Sequence, residues 1–490
     1  MFKKFHYIFI ANALFILFLA FYGCQTSQSV SKQRMNSVEN GLLKTVVFKG
    51  QKPEKMKLSQ RMPYYGVPGL SIAVIDNYQI EWTKAYGVLN NKKHNSTTTE
   101  SLFQAASISQ AATAVEILRL AEKQVLVLDT SVNDYLKSWK VPQTRFNEKE
   151  KVTAIRLLSH SAGVIKSEYS GYTQDEELPS LKQILEGEKP AQSPAVRINY
   201  IPGTKNVYSE AGYTILQQLI EDLEDDSFSM VMKKNIFNPL GMNHSSFECP
   251  LSEEIKTKTA SGHLRDGKPV EGKYRNYPQT AAAGLWSTSS DVALLVIEIM
   301  KTAIGDSNTV ISPLSARTML TRHISTSGLG VNVEDKGDNL YFFKRGRNYG
   351  FNCMMVGYPV KGQGAVVMTN SDNGAYLIDE VIRAVSEVYN WPHFKPLEKT
   401  LYRLKEGEYQ QFEGVYQINP DYLLEVKHEN YYLVIKPTGQ TPTKFYVETR
   451  MVFFSRDPYI KIRFKENAEG QITGLVLRQR DIYQEATKIK

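Results

Sequence analysis

Ser107 and Gln110 stand three residues apart at the start of a stretch that predicts a helix. Residues Ala111–Ala121 are mostly strong helix formers with apolar side chains at helical spacing. Ser107 would therefore lie at or near a helix N-terminus, where unpaired N–H groups and the helix dipole favour the negative charge that a nucleophilic serine develops. Side chains at i and i+3 share a helix face, so Gln110 is expected beside Ser107. A glutamine amide cannot accept a proton near neutral pH, so this position lacks a base.

Two other segments, distant from Ser107 in sequence, carry a phenol and a cation. Tyr208-Ser209-Glu210 follows a Pro-Gly-Thr turn and leads into a helical pattern at Gly212–Asp222. Lys344-Arg345-Gly346 stands four residues before a strand-like run that begins at Gly350. A phenol can relay a proton, and a lysine can attract a carboxylate or a carbonyl oxygen. Taken singly, Ser107 is more typical of a helix cap and Tyr208 of a core aromatic, and Lys344 also fits a solvated basic turn.

Strand patterns on both sides of a helical region predict how these segments are positioned. The strand-like runs are Val67–Ile75, Tyr78–Gly87, Gly350–Tyr358 and Gly364–Thr369. Helical patterns dominate from Phe103 to about Asp225, and another helix is predicted from Ala375 to about Tyr389. We therefore predict an α/β fold over residues 56–395, in which an antiparallel sheet is flanked by helices and lies beside a helical subdomain.

The last part of the chain has a different pattern. After a charged linker, residues 409–490 alternate apolar and polar side chains in short runs, such as Tyr431–Ile435 and Ile460–Phe464. Turn residues separate the runs at roughly ten-residue spacing, which is typical of antiparallel all-β domains. We predict a small separate β-barrel or sandwich here.

The first residues predict export and attachment to a membrane. Lys3 and Lys4 precede an apolar run from Tyr7 to Tyr22, and this pattern resembles a bacterial lipoprotein signal peptide over residues 1–23. Cys24 would be the lipid-modified first residue, and an uncleaved membrane anchor is the alternative. Residues 24–55, rich in Gln, Ser, Lys and Asn, would form a flexible tether. The protein would then be a lipoprotein of the cell envelope that faces the periplasm or the exterior.

Charge and cysteine content exclude several classes of protein. The predicted signal peptide contains Lys3 and Lys4 and no acidic residue, so its removal lowers the formal net charge from +8 to +6. This charge is dispersed, so no nucleic-acid partner is predicted. Cys249 and Cys353 could pair but do not make a disulfide framework. The eight histidines show no metal-ligand spacing, and we predict neither a metal nor a cofactor. The oligomeric state is left open.

The three chemical segments together resemble a known family. In serine β-lactamases and penicillin-binding proteins, a Ser-x-x-Lys box, a Tyr-x-Asn or Ser-x-Asn box and a Lys-Thr-Gly or His-x-Gly box line one cleft. This sequence resembles the class C branch with its esterase and D-alanyl-D-alanine-peptidase relatives, over about residues 60–395. Further landmarks stand in the expected order: Leu157–Gly163, Pro239–Met242, Ala282–Asp291 and Gly357–Pro359. The C-terminal domain resembles the small β-barrel appended to many of these hydrolases.

The resemblance implies a role for each matching residue. Ser107 would be the acyl-accepting nucleophile, Tyr208 would shuttle protons, and Lys344 would supply a positive charge that favours a tyrosinate and draws in substrate. The oxyanion hole would use the backbone N–H of Ser107 and one N–H of the strand after Lys344 and Gly346, in the region of Arg347 and Asn348. His160 corresponds to a packing and hydrogen-bonding residue of the family.

Two positions depart from the family pattern and leave the activity open. Gln110 replaces the lysine that normally contacts the serine, and Glu210 replaces an asparagine and could pair with Lys344. One hypothesis is a serine hydrolase, weakened at position 110, that acts on a peptidoglycan-derived peptide, a β-lactam or a small ester. The other is a catalytically silent member that serves as a binding or scaffold lipoprotein. A specialised enzyme whose substrate supplies the base is an intermediate third option.

Overall fold

The computed structural model describes residues 28–93, 95–479 and 482–490. The expected signal peptide and Cys24 lie outside the described residues. The chain forms two compact units: the body, which includes Ser59–Ile378 and the described residues up to Met35, and a second unit made of Asn36–Leu58 and Asp379–Lys490. None of the helices in the described ranges is both long enough and apolar enough to cross a membrane.

The strands are labelled in chain order. They are β1 Val46–Phe48, β2 Gly69–Asp76, β3 Gln79–Asn90, β4 Asn95–Ser96, β5 Phe103–Gln104, β6 Trp286–Ser287, β7 Asn332–Glu334, β8 Tyr341–Asn348, β9 Phe351–Tyr358, β10 Gln363–Thr369, β11 Leu397–Lys399, β12 Gly414–Asn419, β13 Tyr422–Glu429, β14 Tyr432–Pro437, β15 Thr443–Thr449, β16 Val452–Ser455, β17 Lys461–Glu466, β18 Ile472–Gln479 and β19 Ile482–Lys488.

The helices are labelled in the same way. They are α1 (residues 28–39), α2 Leu58–Tyr65, α3 Ser109–Glu122, α4 Ala154–Leu158, α5 Leu181–Glu186, α6 Glu210–Glu224, α7 Phe228–Met232, α8 Asn238–Leu240, α9 Glu253–Lys258, α10 Thr280–Ala283, α11 Ser289–Ile304, α12 Pro313–Met319 and α13 Gly374–Val388. Short 3₁₀ turns lie at Ala106–Ile108, Val132–Asp134, Gly337–Asn339 and Gln410–Phe412, and a π turn at Lys233–Phe237.

A seven-stranded antiparallel sheet forms the frame of the body. Its strand order is β4-β3-β2-β10-β9-β8-β7, so the early hairpin β2–β3 joins the late strands where β2 pairs with β10. Every residue of β9 is buried, and so are seven of the eight residues of β2, which is why both strands read as apolar runs. Helix α11 packs against β2, β9 and β10, and helices α3, α6 and α10 pack against one another as the helical part. The predicted α/β fold is confirmed.

Within residues 409–490, for which a β-barrel or sandwich is predicted, the strands from β12 to β19 close into a barrel. Each strand from β12 to β19 pairs with the next, and β19 pairs back with β12 through Tyr416–Lys488 and Gln417–Thr487. Alternate residues point inward, as Leu424 and Val426 do on β13. The prediction of a β-barrel or sandwich is thereby resolved in favour of a closed barrel.

Part of the expected flexible tether belongs instead to the second unit. Strand β1 pairs in parallel with β11, and Val38, Leu42, Leu43 and Val46 are buried. The guanidinium of Arg383 also donates hydrogen bonds to Leu43 O and Thr45 Oγ1. The polar composition of residues 24–55 suggested a tether, but apolar residues within it supply enough buried surface to fix residues 36–55 in a packed unit.

Candidate active site

Ser107 lies in a tight turn whose shape is imposed by its neighbours. The 3₁₀ turn Ala106–Ile108 precedes α3, and Ala106 has φ +48°, a left-handed conformation that costs free energy for a residue with a Cβ. The preceding residue, Ala105, holds the turn in place: its N–H donates to Leu285 O (2.8 Å), and its carbonyl accepts from the Cys353 thiol (2.9 Å). Strain beside a reactive position is common at functional sites. The predicted place of Ser107 at the start of a helix is thus observed.

Strand β8 approaches this turn very closely at Gly346. A Cβ at position 346 would overlap the carbonyl oxygen of Ala105 and lie 2.5 Å from Cys353 Sγ. Lys344, Gly346 and Asn348 are buried and alternate with exposed arginines, so they share the inward face of β8. Glycine is required for this approach, which brings Lys344 to the same region as Ser107.

The other two predicted β8 residues differ in their surroundings. The Asn348 amide donates to Gln104 Oε1 (3.0 Å) and to Ala283 O (2.9 Å), so this side chain ties β8 to the framework. The Arg347 side chain is exposed. The expected oxyanion hole depends on backbone N–H groups of Ser107 and of this region, and that role stays a prediction.

Gln110 connects the predicted site residues to one another. Its side chain is fully buried. Lys344 Nζ donates to Gln110 Oε1 at 2.7 Å, and Gln110 Nε2 donates to Tyr208 Oη at 2.9 Å. In its ammonium form Lys344 only donates, so it fixes which end of the amide is the oxygen and turns the NH₂ group towards Tyr208. Position 110 therefore holds the phenol and the lysine in place without acting as a base.

His160, which sequence reasoning left outside the catalytic set, belongs to the same network. Its Nδ1 accepts the backbone N–H of Ser209 at 3.3 Å, so in the neutral ring the proton is on Nε2, which lies 3.2 Å from Gln110 Oε1. Desolvation and the charge of Lys344 lower the pKa of His160 well below its usual value. The imidazole is thus neutral near pH 7 and orients Gln110. A single histidine in a helical segment gave no local signal of this contact.

Tyr208 is the direct partner of Ser107. Its Oη lies 2.8 Å from Ser107 Oγ, 2.9 Å from Gln110 Nε2 and 3.3 Å from Glu210 Oε1. Desolvation, and then the nearby Glu210 charge, raise the pKa of Tyr208 above its ordinary value. The tyrosinate implied by the family resemblance is therefore disfavoured in this resting arrangement, because Lys344 is hydrogen-bonded to Gln110 while the Glu210 carboxylate lies beside the phenol.

Glu210 and Lys344 are both buried, with opposite effects on their ionisation. Burial raises the pKa of Glu210 to about 7, although its Oε2 accepts the backbone N–H of Tyr169 at 2.6 Å. Burial lowers the pKa of Lys344 to about 7, and the charge of Glu210 opposes this shift. The expected direct pairing of Glu210 with Lys344 is not observed among the described residues, and the two charges act on each other only through space. Lys344 donates a hydrogen bond to Gln110, and Glu210 accepts hydrogen bonds from Tyr169 and Tyr208. Strongly perturbed groups gathered around a serine are typical of active sites.

The fold therefore assembles the predicted segments into one cluster. Ser107, Gln110, Tyr208 and Lys344 form a continuous hydrogen-bonded path, and Glu210 joins it through Tyr208. Such a cluster can take the proton of a serine hydroxyl and place a cation nearby. Cys249 and Cys353, whose pairing was open, are both free thiols, and Cys353 supports the turn before Ser107.

A family model and curated proteins match parts of this chain. The family model described as Beta-lactamase matches residues 55–386. Protein flp of Staphylococcus aureus (strain COL) is 24% identical over 230 residues, which are 46% of this chain and 44% of flp. Penicillin-binding protein 4 of Amycolatopsis lactamdurans is 30% identical over 200 residues, 40% of this chain and 49% of the relative. The matched part thus spans less than half of each of these curated relatives.

Solved structures share the fold. The octameric penicillin-binding protein homologue from Pyrococcus abyssi superposes with a TM-score of 0.60 at 22% identity, covering 88% of this chain and 98% of the homologue. A penicillin binding protein from Bacillus halodurans gives a TM-score of 0.53 at 21% identity, covering 68% of this chain and 98% of that protein. At these identities the likeness concerns the fold alone.

Proposed function

This chain belongs to the beta-lactamase family, and we propose that it is a serine hydrolase in which an ester or amide transfers its acyl group to Ser107. The observation that carries this proposal is the 2.8 Å contact between Ser107 Oγ and Tyr208 Oη, with Lys344 two hydrogen bonds further along the path, through Gln110. The substrate classes that we expect are a peptidoglycan-derived peptide, a β-lactam or a small ester.

The proposed reaction uses these groups in sequence. Ser107 Oγ attacks the substrate carbonyl carbon while its proton moves to Tyr208, which takes it in the ionised, tyrosinate form, and the carbonyl oxygen gains the negative charge. The positive charge of Lys344 favours that anionic intermediate. The bond to the leaving group then breaks, and the departing alcohol or amine takes back the proton. Water hydrolyses the acyl-serine by the same steps in reverse order.

We place this activity in the cell envelope, on a lipid anchor at Cys24. The support is the basic start, the apolar run and the Gly23-Cys24 pair of the sequence. Growth of cells expressing the protein with an alkyne-labelled fatty acid should label the wild type and leave Cys24→Ala unlabelled. Labelling of both proteins would contradict the anchor at this cysteine.

Covalent labelling tests the hydrolase proposal. A fluorophosphonate probe or a penicillin should add one adduct to the wild type in intact mass spectra, on the peptide that contains Ser107. Ser107→Ala should abolish the adduct. Ser109→Ala is the matched control that should keep it, because the Ser109 hydroxyl is engaged within the protein: it donates to Ala106 O (2.6 Å) and accepts the Leu285 N–H (3.0 Å). Absence of any adduct between about pH 6 and pH 10 would contradict the proposal.

The amide at position 110 favours a second candidate, a silent member that binds a ligand or partner. Gln110 replaces a titratable lysine and is itself fully hydrogen-bonded. Gln110→Lys places a second amine beside Lys344, and two adjacent buried amines cannot both stay charged, so one becomes a base. If only the base is missing, labelling should rise by about 10²-fold or more. Gln110→Met, of similar length but without a basic nitrogen, is the control. If neither Gln110→Lys nor Gln110→Met is labelled faster than the wild type, the cleft is remodelled in more than its base.

A further inference from the structure

We propose that Glu210 is the terminal proton acceptor for the Ser107 hydroxyl, which it reaches through Tyr208, and that it supplies the base function which Gln110 cannot provide. This inference rests on the proposed hydrolase function and adds a residue to it. The geometry that carries the proposal is the row of oxygens from Ser107 Oγ to Tyr208 Oη (2.8 Å) and from there to Glu210 Oε1 (3.3 Å).

The direction of each hydrogen bond follows from the donors available. Gln110 Nε2 can only donate, so Tyr208 Oη accepts from it at 2.9 Å. The single phenolic proton then points to Glu210, because an ionised carboxylate only accepts. Tyr208 has one acceptor position left, and the Ser107 hydroxyl fills it as a donor. The Ser107 proton is thus already aimed along the path that nucleophilic attack requires.

Gln110 is what enforces these directions. Its oxygen receives Lys344 Nζ at 2.7 Å and faces the protonated Nε2 of His160 at 3.2 Å, so the amide cannot rotate without placing NH₂ against two donors. With a lysine at 110, Tyr208 would have an amine beside it instead of a fixed amide. The glutamine therefore directs the tyrosine proton towards position 210, where this chain carries a carboxylate.

The surroundings of Glu210 keep it able to both take and return a proton. Tyr169 N–H anchors Oε2 at 2.6 Å, which leaves Oε1 for Tyr208. The titratable groups that act on it are Tyr208, Tyr169 and Tyr277, the exposed Glu168 and the ammonium of Lys344. Burial raises the pKa of Glu210 to about 7. A group of that pKa exchanges protons readily near neutral pH.

The proton balance of the relay is complete within the chain. As the bond from Ser107 Oγ to the acyl carbon forms, the Ser107 proton moves to Tyr208 and the Tyr208 proton moves to the Glu210 carboxylate. When the bond to the leaving group breaks, Glu210 returns its proton to Tyr208, which protonates the leaving group. The deacylating water repeats the transfer. Glu210 acts through Tyr208 and does not touch the substrate.

The test compares rates of fluorophosphonate labelling at Ser107 for the full chain from pH 5 to pH 10. In the wild type the rate should rise through about pH 7 as Glu210 ionises. In Glu210→Gln the labelling rate should be at least about 100-fold lower than in the wild type, and it should no longer increase through about pH 7. Glu177→Gln, which removes an exposed carboxylate that is not among the groups acting on Glu210, is the matched control and should stay within about twofold of the wild type. Circular dichroism and the melting temperature report whether each variant is folded.

Each outcome decides one question. A labelled wild type together with a Glu210→Gln variant of equal rate and pH profile would overturn the relay and leave the hydrolase proposal standing. An unlabelled wild type would overturn both. If Glu210→Gln does not fold, Glu210→Asp decides: a shifted midpoint of the pH rise supports the relay, and an unchanged midpoint overturns it.

Discussion

The interior around Ser107 and the interior of the barrel are built from opposite kinds of residue. In the body, the buried side chains of Gln110, Glu210 and Lys344 meet at a strained turn. In the barrel, Phe412 lies against Phe453 and Phe464 with ring centroids 5.1 and 4.6 Å apart. Among the residues described from 404 onwards, the buried set is otherwise almost entirely apolar, with Ser455 as its polar member.

This difference shows which interior lowers the stability of the fold and which one raises it. Burying a carboxyl group and an ammonium costs free energy, and neighbouring hydrogen bonds recover only part of it. Aromatic packing in a closed barrel stabilises without such a cost. Since polar burial that opposes stability is typical of functional sites, we expect the proposed chemistry in the body, and the filled interior of the barrel to serve packing.

The largest expected effect on stability comes from emptying the barrel interior. Phe412→Ala removes a fully buried ring and should lower the free energy of unfolding of the second unit by about 3–5 kcal/mol. The loss should be equal at pH 5 and pH 8, because an apolar contact does not titrate. Calorimetry with Ile489→Ala as control, a residue 53% exposed, should show a change within about 0.5 kcal/mol for the control. A pH-dependent loss in Phe412→Ala would break the contrast between the two interiors.

A smaller effect, dependent on pH, is expected at Glu210. Its pKa of about 7 in the folded protein lies above the usual 4.5, so the folded state binds more protons than the unfolded state between these values, and wild-type stability falls as pH rises through them. Glu210→Gln removes this loss. Relative to the wild type, its free energy of unfolding should therefore increase by up to about 3 kcal/mol from pH 4.5 to pH 8.

Denaturant unfolding at a series of pH values measures this change. Asp266→Asn, at an exposed carboxyl in the same unit, is a suitable control, because burial does not dominate its ionisation. A constant difference between Glu210→Gln and the wild type at all pH values would show that the buried carboxyl has no such cost.

The smallest of the three effects concerns the close approach of β8 to the Ser107 turn. In Gly346→Ala the new methyl group would overlap the backbone oxygen of Ala105, so the turn must shift, at a cost of about 1–3 kcal/mol. Labelling of Ser107 should slow at the same time. Gly212→Ala is the control, since its Cβ would meet Leu157 Cδ2 at an ordinary 3.5 Å. Equal behaviour of the two variants would show that the approach is not required.

Local pattern sufficed for much of the fold. The hairpin β2–β3, helix α13 and the alternating strands of the barrel follow from period-2 and helical spacing, and they were predicted close to their observed bounds. The prediction of a flexible tether is wrong for residues 36–55, because the polar composition concealed the apolar Val38, Leu42 and Val46, which are buried. The partner of Val46 on strand β11 stands more than 300 residues away along the chain, so no local pattern could indicate this pairing.

The sequence also identified the residues of the candidate site, but not the hydrogen bonds between them. Three short motifs were enough to identify the serine, the tyrosine, the lysine and the two departures from the family pattern. These motifs are Ser107 to Gln110, Tyr208 to Glu210 and Lys344 to Gly346. His160 was missed as a network member because its contact with Gln110 spans 50 residues and has no local signature.

The sequence by itself determined the elements, the family and the absence of a titratable group at position 110, since these depend on residue type and short-range spacing. Only the tertiary structure decided what the glutamine does there. The direction of its amide depends on Lys344, 234 residues away, and on His160, and this direction turns the Tyr208 proton towards Glu210. Hydrogen-bond direction is a property of several side chains brought together by packing, and no single segment of the chain contains it.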